Sequence, residues 1–197
     1  MKESVQLDYR VIASIIEPDS RVLDLGCGNG ELLSYLVKEK NADAQGIELD
    51  ENAIYQCVEK GLSVFHSDID SGLSGYPDKS FDYVILNQSL QEIKKIDYVI
   101  NEALRAGKKV IIGFPNFAHI GARFMLFFRG MAPITNSLPY RWNDTPNLRF
   151  LSVKDFEWYC SKKGIKILES HYLGARNKIN LLPNLFALNV IFVITKN

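Results

Sequence analysis

Val22-Leu23-Asp24-Leu25-Gly26-Cys27-Gly28-Asn29-Gly30-Glu31-Leu32 is the stretch of this 197-residue chain on which the fold turns. It begins as a short apolar run, passes through three glycines spaced by single residues, and continues into helix formers as far as Lys40. A buried strand that ends in a glycine turn and opens a helix is the first half of a βαβ unit. Glycine at these places lets the backbone turn tightly and approach a ligand with no Cβ in the way.

Outward from the loop the same alternation repeats. Residues 1–17 carry Val5, Tyr9, Ile12, Ile15 and Ile16 near helical spacing, and Pro18 stops that helix. Strands are expected at 21–25, 44–49, 63–66, 81–86 and 109–114, with helices at 31–40, 52–60 and 96–104. Gly61 is placed to close the helix at 52–60. Apolar strands alternating with helices imply a doubly wound, Rossmann-like α/β sheet that is mostly parallel. The strands at 44–49, 81–86 and 109–114 lack polar alternation, as strands covered on both faces do.

The alternation stops at Pro115. The segment 115–150 is far longer than the ~2–6 residues of an ordinary strand–helix connection. It holds a Phe-rich helix candidate at 117–128 and then Pro133, Pro139 and Pro146. A helix at 153–163 follows, with Ser152 and Asp155 in capping-box positions and Gly164 at its end. Strands at 166–173 and 186–195 close the chain, one of them antiparallel. The expected organisation is one domain over 1–197, with an insertion at about 115–150.

Lys+Arg and Asp+Glu both number 23, and no basic stripe is present, so nucleic acid is not the expected partner. Cys27, Cys57 and Cys160 are odd in number and form no CxxC pair, which suits a reducing cytosol without structural zinc. No acid–histidine cluster has metal-ligand spacing. Met1-Lys2-Glu3-Ser4 lacks the apolar core of a signal peptide, and no run reaches the ~18 apolar residues of a membrane span. The expected location is cytoplasmic.

Two ligand chemistries compete for the glycine loop. A dinucleotide places its pyrophosphate on the helix N-terminus after GxGxxG. Here Glu31 stands where the last glycine of that pattern belongs, and Asp24 adds a second carboxylate two residues before Gly26. Both are hostile to phosphate. S-adenosylmethionine carries a sulfonium and an ammonium and no phosphate, so acidic surroundings favour it, with Asp24, Gly26, Cys27, Gly28 and Gly30 as its cradle. Glu48, with Leu49 beside it, follows the loop at the ~20-residue offset at which an acid meets ribose hydroxyls. Asp68 is placed to bond an adenine amino group with Ile69 against the ring, or else to close an Asx turn. Asn87 and Gln88 end the fourth strand and face the cofactor or an acceptor, or else cap the next helix.

Residues 22–32, 46–50, 66–69 and 81–93 resemble the four cofactor-contacting motifs of class I methyltransferases. Gly113-Phe114-Pro115-Asn116-Phe117, the run from Leu138 to Asn147, and Ser152-Val153-Lys154-Asp155-Phe156 resemble the methionine biosynthesis protein MetW family. The resemblance implies a methyltransferase-like fold and S-adenosylmethionine, or S-adenosylhomocysteine, as the ligand. It also implies a role in methionine biosynthesis as a companion of homoserine O-acyltransferase. Methyl transfer to a small molecule and cofactor sensing by a partner protein both remain open, because a fold and its cofactor site do not fix a reaction.

Catalytic candidates are few. Of the three histidines, His66 and His171 sit in strands, while His119 follows the fifth strand on the expected acceptor side. No Asn-Pro-Pro-Tyr sequence follows the fourth strand, which disfavours amides and nucleic-acid bases as acceptors. Tyr140, Arg141 and Trp142 are residue types that dominate interface hot spots, and they are the expected partner or acceptor contacts, unless Trp142 instead packs inside the domain. Phe117, Phe124, Phe127, Phe128 and Met131 either close a lid or pack as core, with core expected for about half of them.

Overall fold

The computed structural model describes residues 6–135 and 137–196. Strands β1 (Arg21–Leu25), β2 (Asp43–Glu48), β3 (Ser63–His66), β4 (Phe81–Asn87) and β5 (Gly107–Pro115) run parallel. With β6 (Ile165–Leu173) and β7 (Asn189–Lys196) they form a seven-stranded sheet of order β3-β2-β1-β4-β5-β7-β6. β7 is antiparallel to both β5 and β6. β1 therefore has β2 on one side and β4 on the other. The strand order reverses there, and the crevice beyond such a switch point is where open α/β sheets bind ligands.

Successive side chains of a strand point to opposite faces, and both faces here are buried. Val22, Tyr83, Ile85 and Ile111 pack under α1 (Leu7–Ile15), α2 (Glu31–Lys40) and Cys57 of α3 (Glu51–Glu59). Leu23, Leu25, Val84 and Ile112 pack under α4 (Ile96–Ala106) and α6 (Val153–Lys163). That two-sided cover explains strands without polar alternation.

Local signals set several boundaries. Gly61, with a positive φ, donates its N–H to Val58 O and ends α3. Ser152 and Asp155 form a reciprocal capping box at the start of α6.

Other boundaries differ from expectation. The opening helix begins at Leu7, and Val5 lies outside the described residues. The strand expected from Phe186 begins only at Asn189, because Pro183 starts a short helix, α7 (Pro183–Phe186). The helix expected from Phe117 is α5 (Ile120–Arg129), since His119 supplies the N-cap. Phe117 instead packs on Phe150, with ring centroids 4.8 Å apart.

The aromatic face of α5 is not core. Only Ala122 of this helix is buried, while Phe127 is 82% exposed and Phe124, Phe128 and Met131 are exposed too. Helical apolar spacing records that one face is apolar. Whether another element covers it is a non-local matter.

The chain between α5 and α6 is held against the segment that follows β4. Gln91 O accepts the N–H groups of Leu148 and Arg149, and the Arg149 guanidinium donates to the carbonyls of Ile93 and Lys94. This strap walls one side of the crevice beyond β4.

Candidate functional site

The glycine loop leaves β1 at the switch point. Gly26, Gly28 and Gly30 all have positive φ, the region that L side chains rarely adopt. At Gly30 a Cβ would lie 2.5 Å from Leu62 Cδ1 and 2.8 Å from Cys57 Sγ. At Gly28 it would meet nothing within 4 Å. Gly30 is thus required by packing, whereas Gly28 faces open space at the loop apex.

Most amides of the loop are already engaged. Gly26 N and Cys27 N donate to Ile47 O, and Gly30 N donates to Cys27 O. Gly28 N donates to Glu48 Oε2 at 2.8 Å, and Glu31 N to Asn29 Oδ1. A pyrophosphate site needs free N–H groups pointing at the ligand. This loop has spent most of them, one of them on a carboxylate.

Around the loop the carboxylates of Asp24, Glu31 and Glu48 stand against the ammonium of Lys60, which donates to Asn29 O at 2.6 Å. Asp24 is buried at the end of β1, and no donor among the described residues pairs with its carboxyl. Burial, and then the charge of Glu48, push its pKa up to about 7. Glu48 also accepts the N–H groups of Leu49 and Asp50 through Oε1. Tyr9 of α1 lies near these acids, and its phenol is held well above the ordinary range by burial and by the charges of Glu31, Asp8 and Asp24. An unpaired buried carboxylate is costly in isolation and becomes favourable when a cation is placed on it.

The other expected contacts lie around this centre. Leu49 is exposed at the end of β2, next to Glu48. Asp68 accepts the N–H of Asp70 in a tight turn, with Ile69 half-buried beside it. The turn engages Oδ1 and leaves Oδ2 without a hydrogen bond. Asn87 ends β4 and donates to Asp8 Oδ2 at 3.1 Å, while its Oδ1 is buried without a partner. Gln88 follows with φ +62. A non-glycine residue in the left-handed region stores strain of about 1–2 kcal/mol. It is held by Gln88 N donating to Gly113 O and by Gln91 Nε2 donating to Gln88 O.

Next to Asn87 opens a cavity of about 560 Å³, bounded by the start of α1, the segment after β4, and the strap. Asp8, Gln88, Gln91, Glu92 and Tyr140 line it. Asp8, Tyr9 and Glu92 were not legible as site residues. Nothing near the N-terminus marks Asp8 beyond its place in a first helical turn, where acids are common anyway.

His119 caps α5. Its Nδ1 accepts the N–H of Gly121 at 3.0 Å, burial lowers its pKa, and it does not line the cavity. Arg141 and Trp142 do not line it either. With Tyr140 and Leu126 they border a separate apolar groove of about 280 Å³, and Trp142 is 81% exposed.

The sequence matches the family described as methionine biosynthesis protein MetW over residues 6–194. This chain belongs to the MetW family. A bifunctional methionine biosynthesis protein MetXA/MetW from Rhodopirellula baltica is 34% identical over 161 residues. That match covers 77% of this chain and 26% of the relative, so the chain spans about a quarter of the relative's length. Among solved structures, a SAM-dependent methyltransferase from Archaeoglobus fulgidus superimposes with a TM-score of 0.70 at 17% identity, covering 96% of this chain and 91% of that one. The [4+2]-cyclase SpnF superimposes with a TM-score of 0.68 at 18% identity, covering 95% and 80%. The shared fold therefore spans proteins named for different reactions.

The segments that carry the MetW resemblance have identifiable structural work. Asn116 is buried after β5. Its side chain donates to the carbonyls of Asn184 and Ala187 and accepts from Ala118 N, fastening β5 to the turn before β7. Pro139, Tyr140 and Asn147 of the second MetW segment line the cavity. The third segment is the capping box of α6. Among the described residues no helix is long and apolar enough to cross a membrane.

Proposed function

We propose that this MetW-family chain binds S-adenosylmethionine at the glycine loop and acts in methionine biosynthesis as a methyltransferase-type protein on a small molecule. The observation that carries this reading is the loop itself. Five of its amides, those of Gly26, Cys27, Gly28, Gly30 and Glu31, are taken by Ile47, Glu48, Cys27 and Asn29, and an unpaired carboxylate, Asp24, lies buried behind it. The site suits a cationic, phosphate-free ligand. Gly28 gives a ligand open approach. Asp24 is placed for the ammonium group, Glu48 for the ribose hydroxyls, and Leu49, Asp68 and Ile69 for the adenine. Asn87 and Gln88 lie between cofactor and acceptor. The bound cofactor would supply a methyl group activated by its sulfonium. The chain's share is to hold and orient, which can contribute much of the rate effect when the acceptor is already nucleophilic. Calorimetric titration with S-adenosylmethionine and S-adenosylhomocysteine tests the reading. Micromolar affinity that Glu48→Ala abolishes supports it, and no binding of either ligand refutes it.

A second reading is favoured by a specific observation. The MetW relative from Rhodopirellula baltica is fused to a MetXA portion, and the family resemblance points to homoserine O-acyltransferase as companion. On this reading the exposed face of α5 is where the acyltransferase docks. Phe124, Phe127 and Phe128 form a contiguous aromatic cluster, with ring centroids 4.2 and 4.8 Å apart. The groove between Leu126 and Trp142 continues that surface. Contiguous exposed apolar area of this kind marks an interaction site. Co-expression with the acyltransferase, followed by failure to co-purify and no change in its activity, refutes the reading.

A further inference from the structure

The cavity beyond β4 has a wall whose hydrogen-bonding capacity is one-sided. Gln91 lines it at 6% exposure, and its Nε2 donates to Gln88 O at 2.7 Å. A carbonyl only accepts, so the amide orientation is fixed, and Gln91 Oε1 is left buried with no donor. Asn87, next to the lining residue Gln88, repeats the arrangement outside the cavity lining, with its Oδ1 turned toward Gly113. Its Nδ2 is given to Asp8 Oδ2, and its Oδ1 has no partner. Buried polar atoms are rarely left unpaired, and each that is asks for a missing partner.

The charge on the same wall has one sign. Asp8 and Glu92 line the cavity, and among the described residues that line it there is no Lys, Arg or His. Ser137, Tyr140, Asn147 and Asn189 supply hydroxyl and amide groups on the remaining sides, able both to donate and to accept. A carboxylate or phosphate ligand would face two like charges with no countercharge. An ammonium group brings a donor to Gln91 Oε1 and positive charge to the two acids at once.

We propose that this cavity binds a small primary or secondary amine as its ammonium, beside the glycine loop. The proposal rests on the functional reading above in taking the cavity as the seat of the second small molecule. The amine's own recognition comes from Asp8, Glu92 and Gln91.

The test is calorimetric titration of the full chain, alone and saturated with S-adenosylhomocysteine. The amine probes are 1,4-diaminobutane, 2-aminoethanol and glycinamide, and the uncharged or anionic probes are 1,4-butanediol, ethylene glycol and succinate. At least one amine is expected to bind roughly tenfold or more tightly than any of the latter three, and Glu92→Gln to weaken it by a similar factor without changing S-adenosylhomocysteine affinity. Asp8→Asn is expected to weaken the amine in the same way. The proposal is overturned if no amine exceeds the diols and succinate, or if Glu92→Gln and Asp8→Asn both leave amine affinity unchanged. Failure of S-adenosylhomocysteine to bind while an amine still does would refute the cofactor reading and leave this one standing. The reverse result would refute this one alone.

Discussion

The carboxylate of Glu48 accepts the backbone N–H of Gly28 at 2.8 Å. It thereby joins the end of β2 to the apex of the glycine loop. One side chain fixes the shape of the loop and presents negative charge on the side where ribose hydroxyls are expected. Removing it should damage binding more than folding, because the N–H groups it serves, those of Gly28, Leu49 and Asp50, lie near water. Glu48→Ala is expected to weaken S-adenosylhomocysteine binding by about 10–100-fold, the range for losing charge-assisted hydrogen bonds. Calorimetry measures the affinity, and thermal unfolding checks that the fold persists.

Asp24 trades stability for binding. Its pKa is raised to about 7 in the folded chain by burial and by Glu48, against 3.8 for an ordinary aspartate. The folded state therefore holds the Asp24 proton more tightly than the unfolded state does. Stability from this group is full below about pH 4 and is lost as pH rises through 7. The loss is on the order of a few kcal/mol. Asp24→Asn should raise the melting temperature at pH 8 by several degrees, with the difference vanishing near pH 4. The same substitution should weaken binding of the cationic ligand. A melting temperature at pH 8 below that of the unsubstituted chain would refute the assignment.

Two glycines of one loop should respond differently to alanine. Gly30→Ala drives a Cβ into Leu62 and Cys57 at a positive φ, and should cost about 2–4 kcal/mol. Gly28→Ala meets open space and should cost only the backbone strain of about 1–2 kcal/mol, while obstructing the ligand. Thermal unfolding of the pair, set beside their S-adenosylhomocysteine affinities, separates packing from binding.

The aromatic face of α5 can be altered without touching the core. Phe127→Glu should change stability by no more than about 0.5 kcal/mol, as for other exposed positions. If the face docks the acyltransferase, Phe127→Glu and Trp142→Glu each abolish co-purification and leave S-adenosylhomocysteine affinity intact. Retained co-purification in both variants would place the contact elsewhere.

Much of the glycine-loop geometry was legible because its signals are local. The three glycines require positive φ, which only glycine adopts freely, and the acids at 24 and 48 sit at fixed offsets from them. The capping box at Ser152 and Asp155 and the terminator at Gly61 are likewise contained within a few residues. The cavity beyond β4 was not legible. Asp8 reaches the cavity only because α1 lies across the carboxyl end of β4, 79 positions away in sequence. Gln88 carries no mark of its left-handed backbone, since glutamine has no preference for it. The choice between lid and core for the α5 phenylalanines failed for a related reason, since apolar spacing names a face and leaves its neighbour unspecified.

The sequence by itself determined the order of strands and helices, the parallel half of the sheet and the glycine turn, because each follows from interactions within about one turn or one βαβ unit. Only the tertiary structure decided that β7, the expected antiparallel strand, inserts between β5 and β6, that the strap is held to Gln91 and its neighbours, and that a one-signed cavity opens between them. Those features arise where segments distant in the chain meet. There the outcome depends on which faces and hydrogen-bonding groups are left over once every local preference has been met.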